Sequence, residues 1–336
     1  MTLLSRRQFN FLTLAGGIAA GLGVTTAFAA EETSVVLLLS GGIADGGWGQ
    51  HAYEGLKSLE GKSGFKIAYA ENISQAQIPQ VARGYADDGY KLIIGHGYEF
   101  GSPFLEVAPD YPETNFFVSS FLPQPEVPKN ILYADLAYFD VAYAAGALAA
   151  LISEKKASVG FIGGGDNPTQ QNMMKAFVAG AEKTVSGVKG VGIVTGDYNN
   201  AAKGKQAAAT MIGNGADVIW HAADVTGLGA IQAAVEGNVK VLGCYSDQTE
   251  LAPKNIGTSF EMNLAGMVVT TAEAVAGGTF KGGIEWKPTL AEMWLLKAGA
   301  SGDHNPGTVS AEAWASFQTI WKDITARKID VAAVLK

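Results

Sequence analysis

The stretch SVVLLLSGGIADGGWGQHAYEG, residues 34–55, changes pattern twice. Val35 to Leu39 is a short unbroken apolar run. It reads as a strand covered on both faces, as strands of parallel sheets are. Gly41 to Gly49 is a glycine-rich loop that carries one carboxylate, Asp45, and one large aromatic, Trp48. From Gln50 the pattern becomes helical. In an open α/β sheet, ligands sit just beyond the carboxyl ends of such strands. An Asp and a Trp at that point can bond one edge of a small molecule and cover its face.

Outward from this stretch the same alternation continues. Strands are expected at 66–69, 91–95 and 115–119, with helices at 50–59, 76–88 and from Pro103 to Ala108. Such βαβ alternation, punctuated by Gly and turn residues, means a doubly wound parallel sheet. A Pro-rich linker, Leu122 to Lys129, leads into Ile131 to Asp135, read as a strand crossing to a second lobe. Val141 to Ile152 is a helix rich in small residues and expected to be buried on most sides. The pattern then repeats, with strands at 158–162, 190–195, 217–220 and 239–243. Their following loops are again rich in Gly, Asp and aromatics. Asn255 to Phe260 reads as a second crossing, and Glu285 to Leu296 as a third. Residues 30–134 with about 262–290 make one lobe; 135–261 with about 291–336 make the other. The expected fold is α/β: two doubly wound parallel-sheet lobes over a cleft, closing by hinge motion around a ligand.

The composition supports a large core and narrows the function. Of 336 residues, 48% are hydrophobic and 17% charged, so burial is ample and disorder is not expected. A net charge of −8 argues against nucleic acid as a partner. The single cysteine, Cys244, excludes an internal disulfide and a cysteine zinc site, and reads as a buried thiol. His96 and His221 stand at strand ends without partners at metal spacing, so structural or hinge roles are expected of them.

The first 29 residues read as an address. Ser5-Arg6-Arg7-Gln8-Phe9 resembles a twin-arginine signal, and Phe11 to Val24 is an apolar run too short to span a bilayer. Ala27-Phe28-Ala29 fits the small-residue cleavage rule, placing the mature start at Ala30. No cysteine stands there to take a lipid. The expectation is an exported, periplasmic protein without a lipid anchor.

An enzyme is the rival class, and its motifs fail one by one. Gly41-Gly42-Ile43 lacks the opening of G-x-G-x-x-G, and in the loop from Gly163 Pro168 stands where the third glycine is needed. There is no G-x-S-x-G elbow, P-loop or H-E-x-x-H. No cofactor and no catalytic residue is expected.

The chain resembles the basic membrane protein family of ABC-transporter substrate-binding proteins, of the type I periplasmic-binding fold. The resemblance rests on Asp45-Gly-Gly-Trp48, Gly97-Tyr-Glu-Phe100, Val107-Ala-Pro-Asp-Tyr-Pro112 and Ala144-Ala-Gly-Ala-Leu-Ala-Ala150. It continues through Val159-Gly-Phe-Ile-Gly-Gly164, Ala202-Lys-Gly-Lys205, Gly215-Ala-Asp-Val-Ile219, Thr226-Gly-Leu-Gly229 and Ser246-Asp-Gln248. It implies a binding protein that hands a small solute to a permease in the inner membrane. Relatives commonly bind purine nucleosides, and a branch with a D-x-G-W loop looks like one that binds purine bases. Gly49 replaces the Asn of the nucleoside pattern. The ribose-binding carboxylate and lysine of that pattern fall on Tyr245 and Met262, and Met cannot donate to a hydroxyl. A free purine base is therefore expected rather than a nucleoside; a sugar or another small solute is the alternative. The expected working unit is a monomer.

The expected site places Trp48 and Tyr198, one from each lobe, as a stacking pair. Asp45 and Asp224 would accept from ligand N–H groups. Tyr98, Tyr245 and Asp247 are further candidates. Asp247 has the alternative of an Asx turn, and Asp166 and Asp197 read as loop or cap residues.

Overall fold

The computed structural model describes residues 32–45, 47–120 and 126–335. The leader expected at residues 1–29 lies outside them, as does part of the Pro-rich linker. The quoted stretch forms β1 (Thr33–Leu39), a loop, and α1 (Trp48–Lys57). After it come β2 (Phe65–Ala70), α2 (Ile78–Asp87), β3 (Leu92–His96), α3 (Gly101–Val107), β4 (Asn115–Ser119) and β5 (Ile131–Ala134).

The alternation of side chains along β1 explains why its apolar run is unbroken. Val35, Leu37 and Leu39 share a core with Ala52 and Leu56 of α1. Val36 and Leu38 face the other way, against Ile78 and Ala82 of α2 and Phe104 of α3. A strand with helices on both sides needs apolar residues at every position, not at every second one.

The second lobe opens with α4 (Tyr138–Ile152), β6 (Ser158–Gly163), α5 (Pro168–Thr184), β7 (Lys189–Val194) and α6 (Ala201–Gly213). It continues through β8 (Ala216–Ala222), α7 (Asp224–Glu236), β9 (Lys240–Tyr245) and β10 (Ile256–Met262). The chain then returns to the first lobe for α8 (Leu264–Ala276) and β11 (Ile284–Trp286). It ends in the second with α9 (Leu290–Met293), β12 (Trp294–Lys297) and α10 (Ala311–Thr325).

Each lobe holds a six-stranded sheet. Their orders are β11-β5-β4-β3-β1-β2 and β12-β10-β9-β8-β6-β7. Pairings are parallel except that between β12 and β10. The strand order reverses between β1 and β3 in one sheet and between β6 and β8 in the other. Those are the switch points at which doubly wound sheets bind ligands.

The crossing expected at Glu285–Leu296 runs from β11 in the first sheet to β12 in the second, with a helical turn between them. Two details depart from the sequence reading. Trp48 and Asp224 are the first residues of α1 and α7, where loops were expected. Cys244 and Tyr245 belong to β9 and not to the loop after it.

Helix α4 is buried all round: 12 of its 15 residues are shut off from solvent, so its small residues serve packing on several sides. Gly146 on α4 and Gly180 on α5 let the two helices touch. A Cβ at either would stand 2.0 Å from a carbonyl oxygen of the other helix, of Phe177 and Tyr143 respectively.

Candidate functional site

Asp45 shapes the start of α1. Its carboxylate accepts the backbone N–H groups of Gly47 (2.9 Å), Gly49 (2.6 Å) and Gln50 (3.0 Å). These are donors that a helix N-terminus otherwise leaves unpaired, and the negative charge suits that end of the helix dipole. Gly49 is required by the same fold of the loop. A Cβ there would lie 2.5 Å from the Gly42 carbonyl oxygen and 2.9 Å from Asp45 Oδ2.

The loop sets Trp48 at the mouth of β1, and His96 at the end of β3 holds it. The His96 ring lies on the indole at a centroid distance of 3.9 Å and 15° between planes. Its Nε2–H donates to the Trp48 carbonyl (3.0 Å), and the Ser119 hydroxyl donates to Nδ1 (2.9 Å). Because a carbonyl only accepts, the tautomer is fixed by these partners. Burial lowers the His96 pKa to about 4, so the ring is neutral at physiological pH.

The other lobe brings Tyr198, Asp224 and Tyr245. Tyr198 follows β7 and lies against the backbone of Gly164 and Gly165. A Cβ on Gly164 would meet the ring at 2.1 Å, and one on Gly165 at 2.5 Å. The glycines that fail as a dinucleotide fingerprint thus make a seat for an aromatic ring. Asn167 Nδ2 donates to the Tyr198 hydroxyl (3.1 Å) and fixes the ring's outer end.

Tyr245 ends β9 with φ +68, and Asp224 opens α7 with φ +45. Ser120 and Ala137, at or beside the same cleft, also have positive φ, at +65 and +55. Left-handed conformations cost non-glycine residues energy and concentrate at ligand sites. The end of β9 is held by Gln248, whose Oε1 accepts from the Cys244 N–H (3.0 Å) and from His221 Nε2–H (3.0 Å). His221 is itself fully enclosed, with its pKa lowered to about 4 by burial. This accounts for the glutamine of Ser246-Asp-Gln248: it positions Tyr245 without touching the cleft. Cys244 is a free, buried thiol.

Asp224 spans the two lobes. It faces the Trp48 backbone N–H, while its Oδ1 is sealed from solvent and has no partner. Burial first, and then the neighbouring charge of Asp45, push its carboxyl up to about 8.

These groups line one cleft of about 400 Å³, which lies at the switch points of both sheets. Of the residues expected from sequence, Asp45, Trp48, Tyr98, Tyr198, Asp224 and Tyr245 stand in its wall. Asp247 does not. Its carboxylate accepts from the Thr249 N–H and hydroxyl and from the Gly299 N–H, an Asx turn with a strut to a distant loop. Asp197 and Asp166 likewise serve their own loops, taking bonds from Asn199 with Lys203 and from Gln171. Met262 is buried in β10 beside Trp294 and is absent from the cleft wall.

The wall also holds residues that sequence reasoning did not single out. Tyr138, at the first turn of α4, stands 6.3 Å from Trp48, and Tyr245 stands 5.6 Å from it, both tilted. Gln170 is present with an unpartnered buried Oε1. Asn167 was legible as a cap, since Asn before Pro168 opens a helix, and it does accept the Gln170 N–H (3.0 Å). Tyr138 carried no such signal. Among the described residues lining the cleft there is no Lys or Arg, and among those described overall no cluster suits a metal ion.

Two doubly wound lobes, each offering the ligand end of its sheet to a shared cleft, define a two-lobed solute-binding protein. The chain belongs to the PnrA-like, or Bmp, family of ABC-transporter substrate-binding proteins, whose family model matches residues 32–295. It is 31% identical over 222 residues to the ABC transporter nucleoside-binding protein BmpA of Lactococcus lactis, 62% of either chain. A purine-binding protein of Brucella abortus is 26% identical over 290 residues, covering 85% of this chain and 78% of that one. A solute-binding protein structure from Aeropyrum pernix superposes with a TM-score of 0.78 at 21% identity. It covers 88% of this chain and 92% of that one. No helix among the described residues is long and apolar enough to cross a membrane.

Proposed function

We propose that this protein captures a purine base between its lobes and presents it to an inner-membrane ABC permease. The observation that carries the reading is the make-up of the cleft wall. Trp48 and Tyr198 come from opposite lobes, and each has a rigid backing: His96 behind the indole, the Gly164–Gly165 backbone behind the phenol. Flat ligands gain contact on both faces from such walls. Polar groups around them, from Asp45 and Asp224 to Asn167, Gln170 and Tyr98, suit a ring edged with nitrogens. The positions that would hold a ribose are Tyr245, which fills the cleft wall with an aromatic, and Met262, buried behind it. That favours the base over its nucleoside. The Brucella abortus relative, a purine-binding protein, agrees with this choice. The nucleoside-binding relative from Lactococcus lactis makes the nucleoside the second reading.

A thermal-shift panel of purine bases, their nucleosides and common sugars decides between them. A ligand at 100-fold over its dissociation constant stabilises by about 2.7 kcal/mol. Bases are expected to raise the melting temperature more than nucleosides, and sugars not at all. The Trp48→Ala variant is expected to lose most affinity. A response to sugars alone, or nucleosides bound far more tightly than bases, would sink the reading.

The same function calls for export. The Arg6-Arg7 pair is proposed to direct the folded chain through the twin-arginine route, with cleavage before Ala30 and no lipid anchor. Changing both to Lys is expected to leave uncleaved protein inside the cell. Normal export and processing of that variant would remove the twin-arginine assignment.

A further inference from the structure

Asp224 presents a buried carboxyl oxygen that nothing in the protein satisfies. Oδ1 is shut off from solvent without a hydrogen-bond partner, near Gly47 of the facing lobe. The group also faces the Trp48 N–H. The ionisable groups that face it are Asp45 from the loop before α1, Tyr138 from α4, Tyr198 from the loop after β7, and Cys244 with Tyr245 from β9. None of them is a cation, and no Lys or Arg is present among the described residues of the cleft wall. A buried charge without donor or counter-ion is costly, and two carboxylates side by side resist ionising together. A carboxyl in this position keeps its proton.

We propose that Asp224 meets the ligand as a neutral carboxylic acid whose Oδ1–H donates to an unprotonated ring nitrogen. The site thereby selects heterocycles with a bare ring nitrogen at that edge over lactam forms that carry N–H there. The inference rests on the reading that the cleft holds a purine base, and it reverses the acceptor role expected of an ionised Asp. In purine terms it favours a 6-amino over a 6-oxo ring, because the 6-oxo ring carries a proton on the adjacent nitrogen. The raised carboxyl pKa of about 8 agrees with the geometry and sets the pH at which the preference fades.

The test is calorimetric titration of the purified protein with adenine and hypoxanthine at pH 6.5, 7.5 and 9. Adenine is expected to bind at least tenfold more tightly than hypoxanthine at pH 6.5. Its affinity is expected to fall by about eightfold from pH 7.5 to 9, the linkage of a proton lost from a group with that pKa. Asp224→Asn keeps an N–H donor in place and suits a left-handed backbone. It is expected to bind adenine with no such fall. Of the 1-, 3- and 7-deaza analogues of adenine, the 1-deaza analogue is expected to lose both tenfold affinity and the pH dependence, and the other two to keep the pH dependence. Adenine affinity that is flat or rising across this range, or an Asp224→Asn variant with the same fall, overturns the inference while leaving the purine reading intact. If neither base binds at any pH, the purine reading itself falls and this inference with it.

Discussion

At the scale of single residues, Asp224 has a consequence that needs no ligand. An unfolded Asp titrates near 3.9; folded, this one is pushed up to about 8. Between those values the folded state holds a proton that the unfolded state has lost, so stability falls as pH rises. His96 and His221 act in the opposite sense. Lowered to about 4, they make stability rise with pH, a gain that is half complete at the unfolded histidine value of about 6.5 and fades over the next unit. Asp140, raised to about 6 by burial and then by Asp135, is mostly ionised by then. From pH 6.5 to 8 the loss from Asp224, about 1.5 kcal/mol, outweighs the remaining gain from the two histidines, about 0.8 kcal/mol, and a net fall of about 1 kcal/mol is expected. Urea unfolding at pH 6.5, 7.2 and 8 measures it. Asp224→Asn is expected to rise slightly, and a wild-type curve that rises with it would mean that the carboxyl ionises early.

At the scale of elements, the tightest constraint lies between α4 and α5. Each helix places a glycine against a carbonyl of the other, and a methyl group at either has no room. Gly146→Ala or Gly180→Ala must push the helices apart, at an expected cost of about 1–3 kcal/mol despite the better helix propensity of Ala. A chemical denaturation midpoint unchanged from wild type would show that the pair gives way freely. The small residues of α4 were legible in the sequence as a sign of burial, because periodicity and residue size speak directly of packing. The same holds for β1, whose unbroken apolar run could only mean cover on both faces. What the sequence withheld is three-dimensional. Glu285–Leu296 was legible as a crossing, but only the pairing of β11 with β5 and of β12 with β10 shows which part of it lies in which sheet. Trp48 was legible as a residue of the cleft wall, but His96 as its backing was not, since the contact joins residues 48 apart through ring stacking. Asp247 was legible only as an alternative. An Asx turn and a ligand carboxylate look alike until the Gly299 N–H is seen to take the second oxygen.

At the scale of the whole molecule, the chain crosses between lobes three times: after β5, after β10 and between β11 and β12. Short crossings of this kind permit rotation of one lobe against the other while resisting separation. Across the cleft the lobes meet where Asp224 faces the Trp48 N–H and Tyr245 stands against the indole. A ligand seated between Trp48 and Tyr198 would add contacts to both lobes, and those contacts exist only when the cleft is shut. Binding must then shift the population toward closure. Small-angle scattering is expected to show a contraction when saturating adenine is added, and none for Trp48→Ala. The charge of the molecule limits which ligands can drive this. The net charge is −8, and Asp45, Glu99 and Asp224 line the cleft with no cationic side chain among its described residues. A phosphate would enter a negative field and find no Arg or Lys to hold it. Adenosine monophosphate is therefore expected to cause neither contraction nor a melting shift. If it closed the lobes as well as adenine does, the cleft would have to recruit a cation from beyond its described wall, and the selection of uncharged rings would be lost.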